Sequence, residues 1–272
     1  MAVIASIIMG IVLGITEFLP VSSVGHSLVL SALLSFPPTQ AARDTFAVFI
    51  EAGALLAVVF FYRRDLLKQA RQFPKERDVR RFWLNILIAF LPIGIIGFIF
   101  HDWIERTFFS PLIVGISLIV GGVVFLAVER RKKVPPQTVE FADMTPRQAL
   151  WVGLAQILAL IPGVSRSGAT IVGGLLAGLD RKIATVFTFY LLMPTLAAAS
   201  GYEIFSALRK GTLAHDLIPY FLLAAFVAFL VSLLAMRWLL GFIRKHDFQV
   251  FGVYRIILGV IVIALILIGF IH

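Results

Sequence analysis

Pro162-Gly163-Val164-Ser165-Arg166-Ser167-Gly168-Ala169-Thr170 decides how this chain is read. It lies between two apolar runs, Ala149 to Ile161 and Ile171 to Leu179, each too short to cross a bilayer, which takes about 20 helical residues. An arginine at membrane depth is costly, at least ~2.5 kcal/mol, and marks function by default. Pro162, Gly163 and Gly168 break helix and let backbone approach a ligand. The stretch is expected to form a re-entrant loop. Its second arm would begin near Ser165, with N-terminal N–H groups directed at an anion.

A partner lies near the start: Glu17-Phe18-Leu19-Pro20-Val21-Ser22-Ser23-Val24-Gly25-His26. Val21 to Gly25 and Val164 to Gly168 both read V-S-x-x-G after a proline, 143 positions apart. Thr45 to Val59 also lines up with Thr185 to Ala199 at a spacing of 140, sharing Thr45/Thr185, Phe49/Phe189, Leu56/Leu196 and Ala57/Ala197. Agreement in order and spacing makes this an internal repeat.

The 272 residues are 60% hydrophobic and 14% charged, against roughly 25% charged in soluble domains, so the chain reads as an all-α polytopic membrane protein. Met1 to Leu19 lacks a basic start and a small-residue cleavage site, so no signal peptide is expected. The absence of cysteine excludes a disulfide framework. The net charge of +9 lies in loops between apolar runs, which argues against nucleic acid as a partner.

Six runs are long enough to span: about 46–62, 82–100, 112–128, 183–202, 217–240 and 250–271. Four shorter ones, about 2–16, 23–35, 147–161 and 166–179, flank the two V-S-x-x-G stretches. The expected organisation is one integral membrane domain over 1–272, with repeat one at about 1–128, a cytoplasmic linker at about 129–146 and repeat two at about 147–272. Three crossings per half force opposite orientations: an inverted-topology repeat with six transmembrane helices and two re-entrant broken-helix hairpins, whose site lies at the midplane. Walking the spans puts 18 of the 24 basic residues on one side, in 63–81, 130–147, 181–182 and 237–245. Only Arg43, Arg106, Arg209 and Lys210 fall on the other, while Arg166 and Arg255 lie inside spans. The basic side is then cytoplasmic and both termini face outward.

Five ionisable residues fall at hydrocarbon depth: Glu17, His26, Glu51, Arg166 and Arg255. Glu17 can hold a divalent cation, take a proton, or simply pair with Arg166. Glu51 can be a second metal carboxylate, or can hydrogen-bond backbone or a broken-helix end. His26 can attack phosphorus, serve as acid or base, or bind metal; the plainer role is a structural hydrogen bond. Arg166 offers a fork matched to phosphate oxygens, or satisfies carbonyls of the opposite loop. Ser22, Ser23, Gly25, Ser165, Ser167, Gly168 and Thr170 supply candidate donors around an anion. Gln156, one turn before the second tip and opposite Leu13 in the repeat, lines the site or bridges helices. Arg255 is expected to snorkel to the cytoplasmic end of the last span or to pair with Glu51 or Asp247, outside the site. The basic segment 63–81 reads as amphipathic or solvated, attractive to anionic lipid.

Chemistry alone leaves two readings: an enzyme acting on a lipid-borne phosphate, or a transporter or flippase of an anionic lipid. Thr16 to His26 and Pro162 to Thr170 closely resemble the two signatures of the bacterial undecaprenyl-diphosphatase (bacitracin-resistance) family. The resemblance runs over essentially the whole chain. It implies hydrolysis of undecaprenyl diphosphate to undecaprenyl phosphate and inorganic phosphate, recycling the carrier lipid of cell-wall synthesis. It also implies a divalent cation, Mg²⁺ or Ca²⁺, and a place in the bacterial inner membrane with the site open to the outer face. Carried onto this chain, Glu17, His26, Arg166 and Ser23 are the catalytic candidates, and Glu17 with Glu51 the metal candidates. One position departs: the family usually has Glu or Gln four residues before Glu17, where this chain has Leu13. The nucleophile stays open among His26, Ser23 and water. The oligomeric state, a homodimer included, stays open too.

Overall fold

The computed structural model describes residues 1–131, 136–210 and 215–271. Lys132, Lys133 and His272, and the linker over 132–135, lie outside the described residues. The described elements are helices α1 (Ala2–Phe18), α2 (Ser23–Leu34), α3 (Gln40–Phe61), α4 (Arg63–Gln72), α5 (Arg77–Phe108), α6 (Pro111–Arg131), α7 (Pro146–Ile157), α8 (Arg166–Leu176), α9 (Arg181–Lys210), α10 (Ile218–Phe242) and α11 (Gln249–Leu267). Short 3₁₀ turns and one isolated bridge, Thr138 to Leu179, complete them.

Six stretches are long and apolar enough to cross a membrane: Ala42–Phe61, Arg77–Phe100, Pro111–Arg130, Arg181–Arg209, His215–Phe242 and Gln249–Leu267. They coincide with the six runs read from sequence. Their outward faces are apolar, with Phe98 76% and Leu267 82% exposed, which suits lipid and not water. This is a multi-pass membrane protein. The four short runs are also helices, and α8, with 11 residues, reaches only about 16 Å, half the hydrocarbon thickness.

Local chemistry sets the helix starts. Thr39 caps α3 by accepting from Ala42 N–H. Thr145 and Gln148 form a reciprocal capping box at α7, with Pro146 in the first turn where no N–H is needed. Helix α6 continues to Arg131, with Glu129 buried in the helix packing.

Packing follows the repeat. Broken helix α1 lies along α10 of the second half, and α7 lies along α5 of the first. Helices α3 and α9 meet each other, as do α6 and α11, so these eight helices fall into matching pairings. Gly10 and Gly153, 143 positions apart, make these contacts close. A Cβ on Gly10 would stand 2.7 Å from Ala224 O, and one on Gly153 would stand 2.5 Å from Ala89 O. Small residues substitute for hydrophobic drive where lipid competes with side chains.

At one end, Arg181 grips the buried Glu129 (Nη2 to Oε2 2.6 Å), which also accepts from Phe248 N–H at 3.3 Å. These bonds tie the end of α6 to the starts of α9 and α11. They gather 129–131, 181–182 and 244–248, segments that the charge pattern assigns to one side. The segment 63–81 contains a separate amphipathic helix, α4, which the sequence alone left undivided.

Candidate active site

Both short helices α2 and α8 start from a serine in the same unusual conformation. Ser22 has φ 72° and ψ 105°, and its hydroxyl accepts from Gly25 N–H. Ser165 has φ 72° and ψ 120°, and its hydroxyl accepts from Gly168 N–H. Positive φ in a non-glycine residue is strained and collects at functional sites. The V-S-x-x-G repeat is therefore a repeat of backbone: the serine caps, and the glycine three residues on donates.

The two tips touch. Ser167 Oγ donates to Leu19 O at 3.1 Å and lies 3.1 Å from Ser165 Oγ. Arg166, the first residue of α8, reaches Glu17 near the end of α1, with Nη2 to Oε1 at 2.9 Å. The same nitrogen also donates to Glu51 Oε1 on α3. Glu17 is almost sealed, its side chain 4% exposed, while Arg166 and Glu51 retain 18% and 22%. The Glu17–Arg166 ion pair that sequence offered as the plainer reading is present. Glu51 meets the first turn of a broken helix, as its plainer reading anticipated, but through the Arg166 side chain and not the backbone.

His26, one turn into α2, forms a second group. Its Nδ1 is 2.7 Å from Ser22 O and its Nε2 is 2.7 Å from Tyr254 Oη on α11. A carbonyl only accepts, so Nδ1 carries the proton, and in the neutral ring Nε2 accepts from the Tyr254 hydroxyl. The rings lie nearly parallel, at 6°. Tyr254 was missed from sequence because its partner is 228 residues away and no local pattern announces it.

Ser23 is half-buried at the first position of α2. Thr170 and Gln156 are fully buried. Thr170 Oγ1 donates to Arg166 O at 2.9 Å and accepts from Thr188 at 2.9 Å. Gln156 Oε1 accepts from Thr195 at 3.4 Å, and its Nε2 finds no partner. Both tie their short helices to α9.

Arg255 departs from the sequence reading. It neither snorkels nor pairs with Glu51 or Asp247. It is 1% exposed and donates to Val164 O at 2.9 Å, Gly163 O at 3.0 Å, Ser117 O at 3.3 Å and Pro20 O at 3.4 Å. Facing the interior midway along the packed α6–α11 pair, it has no route to the helix end. It and Ser167, not Arg166, satisfy the tip carbonyls.

Among the described residues no three His, Cys, Asp or Glu side chains converge. Leu13 is 3% exposed in an apolar cluster with Met9, Phe46 and Phe221. The acidic donors that converge are thus Glu17 and Glu51. Two hard oxygen ligands, completed by phosphate and water, suit Mg²⁺, which commonly takes one or two carboxylates.

Comparison with known proteins gives the family. Residues 6–261 match the family model for bacitracin resistance protein BacA. The chain is 43% identical over 264 residues to an undecaprenyl-diphosphatase of Albidiferax ferrireducens, covering 96% of this chain and 94% of that one. It is 45% identical over 261 residues to undecaprenyl-diphosphatase 2 of Rhodospirillum rubrum, covering 96% and 94%. Undecaprenyl-diphosphatase 1 of Clostridioides difficile is 41% identical over 261 residues, covering 95% and 94%.

Proposed function

The chain belongs to the bacitracin resistance protein BacA family, and from that membership we propose that it hydrolyses undecaprenyl diphosphate to undecaprenyl phosphate and inorganic phosphate. The observation that carries the reading is a guanidinium held between two carboxylates where two half-length helices meet inside an apolar bundle. A buried ion pair gives little net stability, so its retention is better explained by chemistry.

In this reading Arg166 turns its free N–H groups to the terminal phosphate, with the Ser22 and Ser165 hydroxyls and N–H groups at the starts of α2 and α8 as further donors. Thr170 and Gln156 hold the tip against α9 and act from behind. Glu17 and Glu51 would hold a divalent cation, Mg²⁺ or Ca²⁺, which when bound neutralises diphosphate charge. His26 Nε2, released from the Tyr254 hydroxyl, takes the proton from the attacking water or Ser23 hydroxyl. The new P–O bond forms as the anhydride P–O bond breaks, and undecaprenyl phosphate leaves with the electron pair; attack by water gives inorganic phosphate directly, whereas attack by Ser23 leaves a phosphoserine that a water then hydrolyses, His26 having first passed its proton to solvent. A phosphohistidine at His26, trapped by an alkaline quench because its P–N bond does not survive acid, would overturn the base assignment.

The prenyl tail lies among the apolar helix faces, in the inner membrane of a bacterium. The basic residues favour a cytoplasmic side at 63–81 and 130–147, outward termini, and a site open to the outer face, with the two halves inverted and the short helix pairs re-entrant. The chain has no cysteine, so single cysteines at positions 2, 76 and 140 can be labelled from either side in cells. Labelling of position 2 from outside and of 76 and 140 only from inside is expected; the reverse would refute the orientation. Enzyme and carrier separate cleanly in detergent without any gradient. The enzyme releases inorganic phosphate from undecaprenyl diphosphate there, and a chelator stops it; a carrier releases none.

A further inference from the structure

We infer that Arg255 is a positioning residue for this site: one buried guanidinium clasps the carbonyls of both tips and so fixes the backbone that presents Arg166 and the donor N–H groups. The inference deepens the diphosphatase reading and rests on it for its kinetic arm.

Four acceptors meet Arg255. Pro20 O belongs to the first tip, Gly163 O and Val164 O to the second, and Ser117 O to α6. Among the described residues it has no carboxylate partner. A buried cation whose partners are four carbonyls and the Phe125 ring, 5.9 Å from its Cζ, is costly without a carboxylate, and it persists where the surroundings demand it. The packing reserves its place. A Cβ on Gly121 would stand 2.1 Å from Arg255 Nη2, and one on Gly168 would stand 2.9 Å from Nη1.

The direction of the bonds gives them their effect. In a trans peptide the carbonyl and the next N–H point to opposite sides. Drawing Val164 O onto Arg255 turns Ser165 N–H away from it, at the residue held at φ 72°. Drawing Pro20 O onto the same group turns the first tip in the matching sense, two residues before Ser22, also at φ 72°. One side chain thereby stabilises two strained turns and sets their spacing.

Lysine cannot take this role, because a single ammonium is a point donor and not a planar fork. The test compares wild type, Arg255→Lys, Arg255→Met and Gly121→Ala in detergent, with thermal midpoint, steady-state phosphate release and hydrogen exchange measured on each. Gly121→Ala leaves the charge in place and displaces only the fork. All three variants should lose about 100-fold in kcat, the scale of a 1 Å misplacement, with KM for the lipid within about 3-fold. Exchange in peptides covering 19–26 and 161–168 should quicken about 10-fold, while the α6–α11 interior stays protected. Wild-type kcat in folded Arg255→Lys, or a rate loss that tracks only the unfolded fraction, would overturn the inference. Exchange reads the clasp without substrate: unchanged tip exchange in folded Arg255→Lys and Gly121→Ala overturns it, whatever the activity. A wild-type protein that releases no phosphate would instead refute the diphosphatase reading, with the exchange arm still deciding the clasp.

Discussion

The two tips have the same backbone and different cargo. Ser22 and Ser165 share φ 72° and cap their helices through the glycine three residues on. Yet where the second tip has Arg166 the first has Ser23, and where the first has His26 the second has Ala169. Glu17 likewise faces Leu160 across the repeat. What the two tips share is a serine-capped helix start. The chemistry is divided, with the cation on one tip and carboxylate and imidazole on the other. In the proposed reading neither tip is a site alone, and the site forms where they meet beside Glu51 of α3.

The comparison breaks most visibly at Arg166. Arg166→Ala should lower kcat for phosphate release by about 10³-fold or more, the scale of a cationic finger in phosphoryl transfer. Arg166→Lys, which leaves a cation beside Glu17 and Glu51, should lose about 10²-fold. Thermal unfolding separates folding from catalysis; wild-type turnover in folded Arg166→Ala would end the assignment.

Next come the carboxylates. Glu17→Gln should cost about 10²-fold in kcat and Glu51→Gln about 10-fold, because Glu17 is more deeply sealed. They share one nitrogen of Arg166, so the double variant should lose clearly less than the product of the single losses. Strict multiplicativity would mean they act on separate targets.

Tyr254→Phe removes the hydroxyl that engages His26 Nε2 and leaves the ring. A loss of about 3- to 10-fold in kcat, with little change in thermal midpoint, is expected for a group that orients a base. No change at all would leave Tyr254 a packing residue.

The smallest effect probes the shared scaffold. Ser22→Ala and Ser165→Ala each remove a cap worth about 1 kcal/mol, whereas glycine costs only tenths because it relieves the positive φ. Equal losses in thermal midpoint at the two positions would support equivalence of the backbones. Activity should fall more for Ser165, which sits beside Arg166.

Much of this was legible in the sequence. Hydropathy located all six spans, since lipid imposes length and composition residue by residue. V-S-x-x-G located both tips, since capping is local chemistry. Glu17, Glu51 and Arg166 stood out because charge is rare at that depth. Arg255 stood out for the same reason and was still misplaced. Its acceptors are carbonyls 91 to 235 residues away, and carbonyls carry no sequence signature. Tyr254 escaped for the same reason, and α4 because its basic face hid a regular helix within a charged segment.

The glycine contacts at Gly10 and Gly153 also bear on how the molecule is assembled. Because α1 rests on α10 and α7 on α5, each half keeps the other's short helix in place. The protein is two interlocked strangers and not two adjacent modules. Cut within 132–135 and made as separate polypeptides, the halves should recover activity only when they are inserted together.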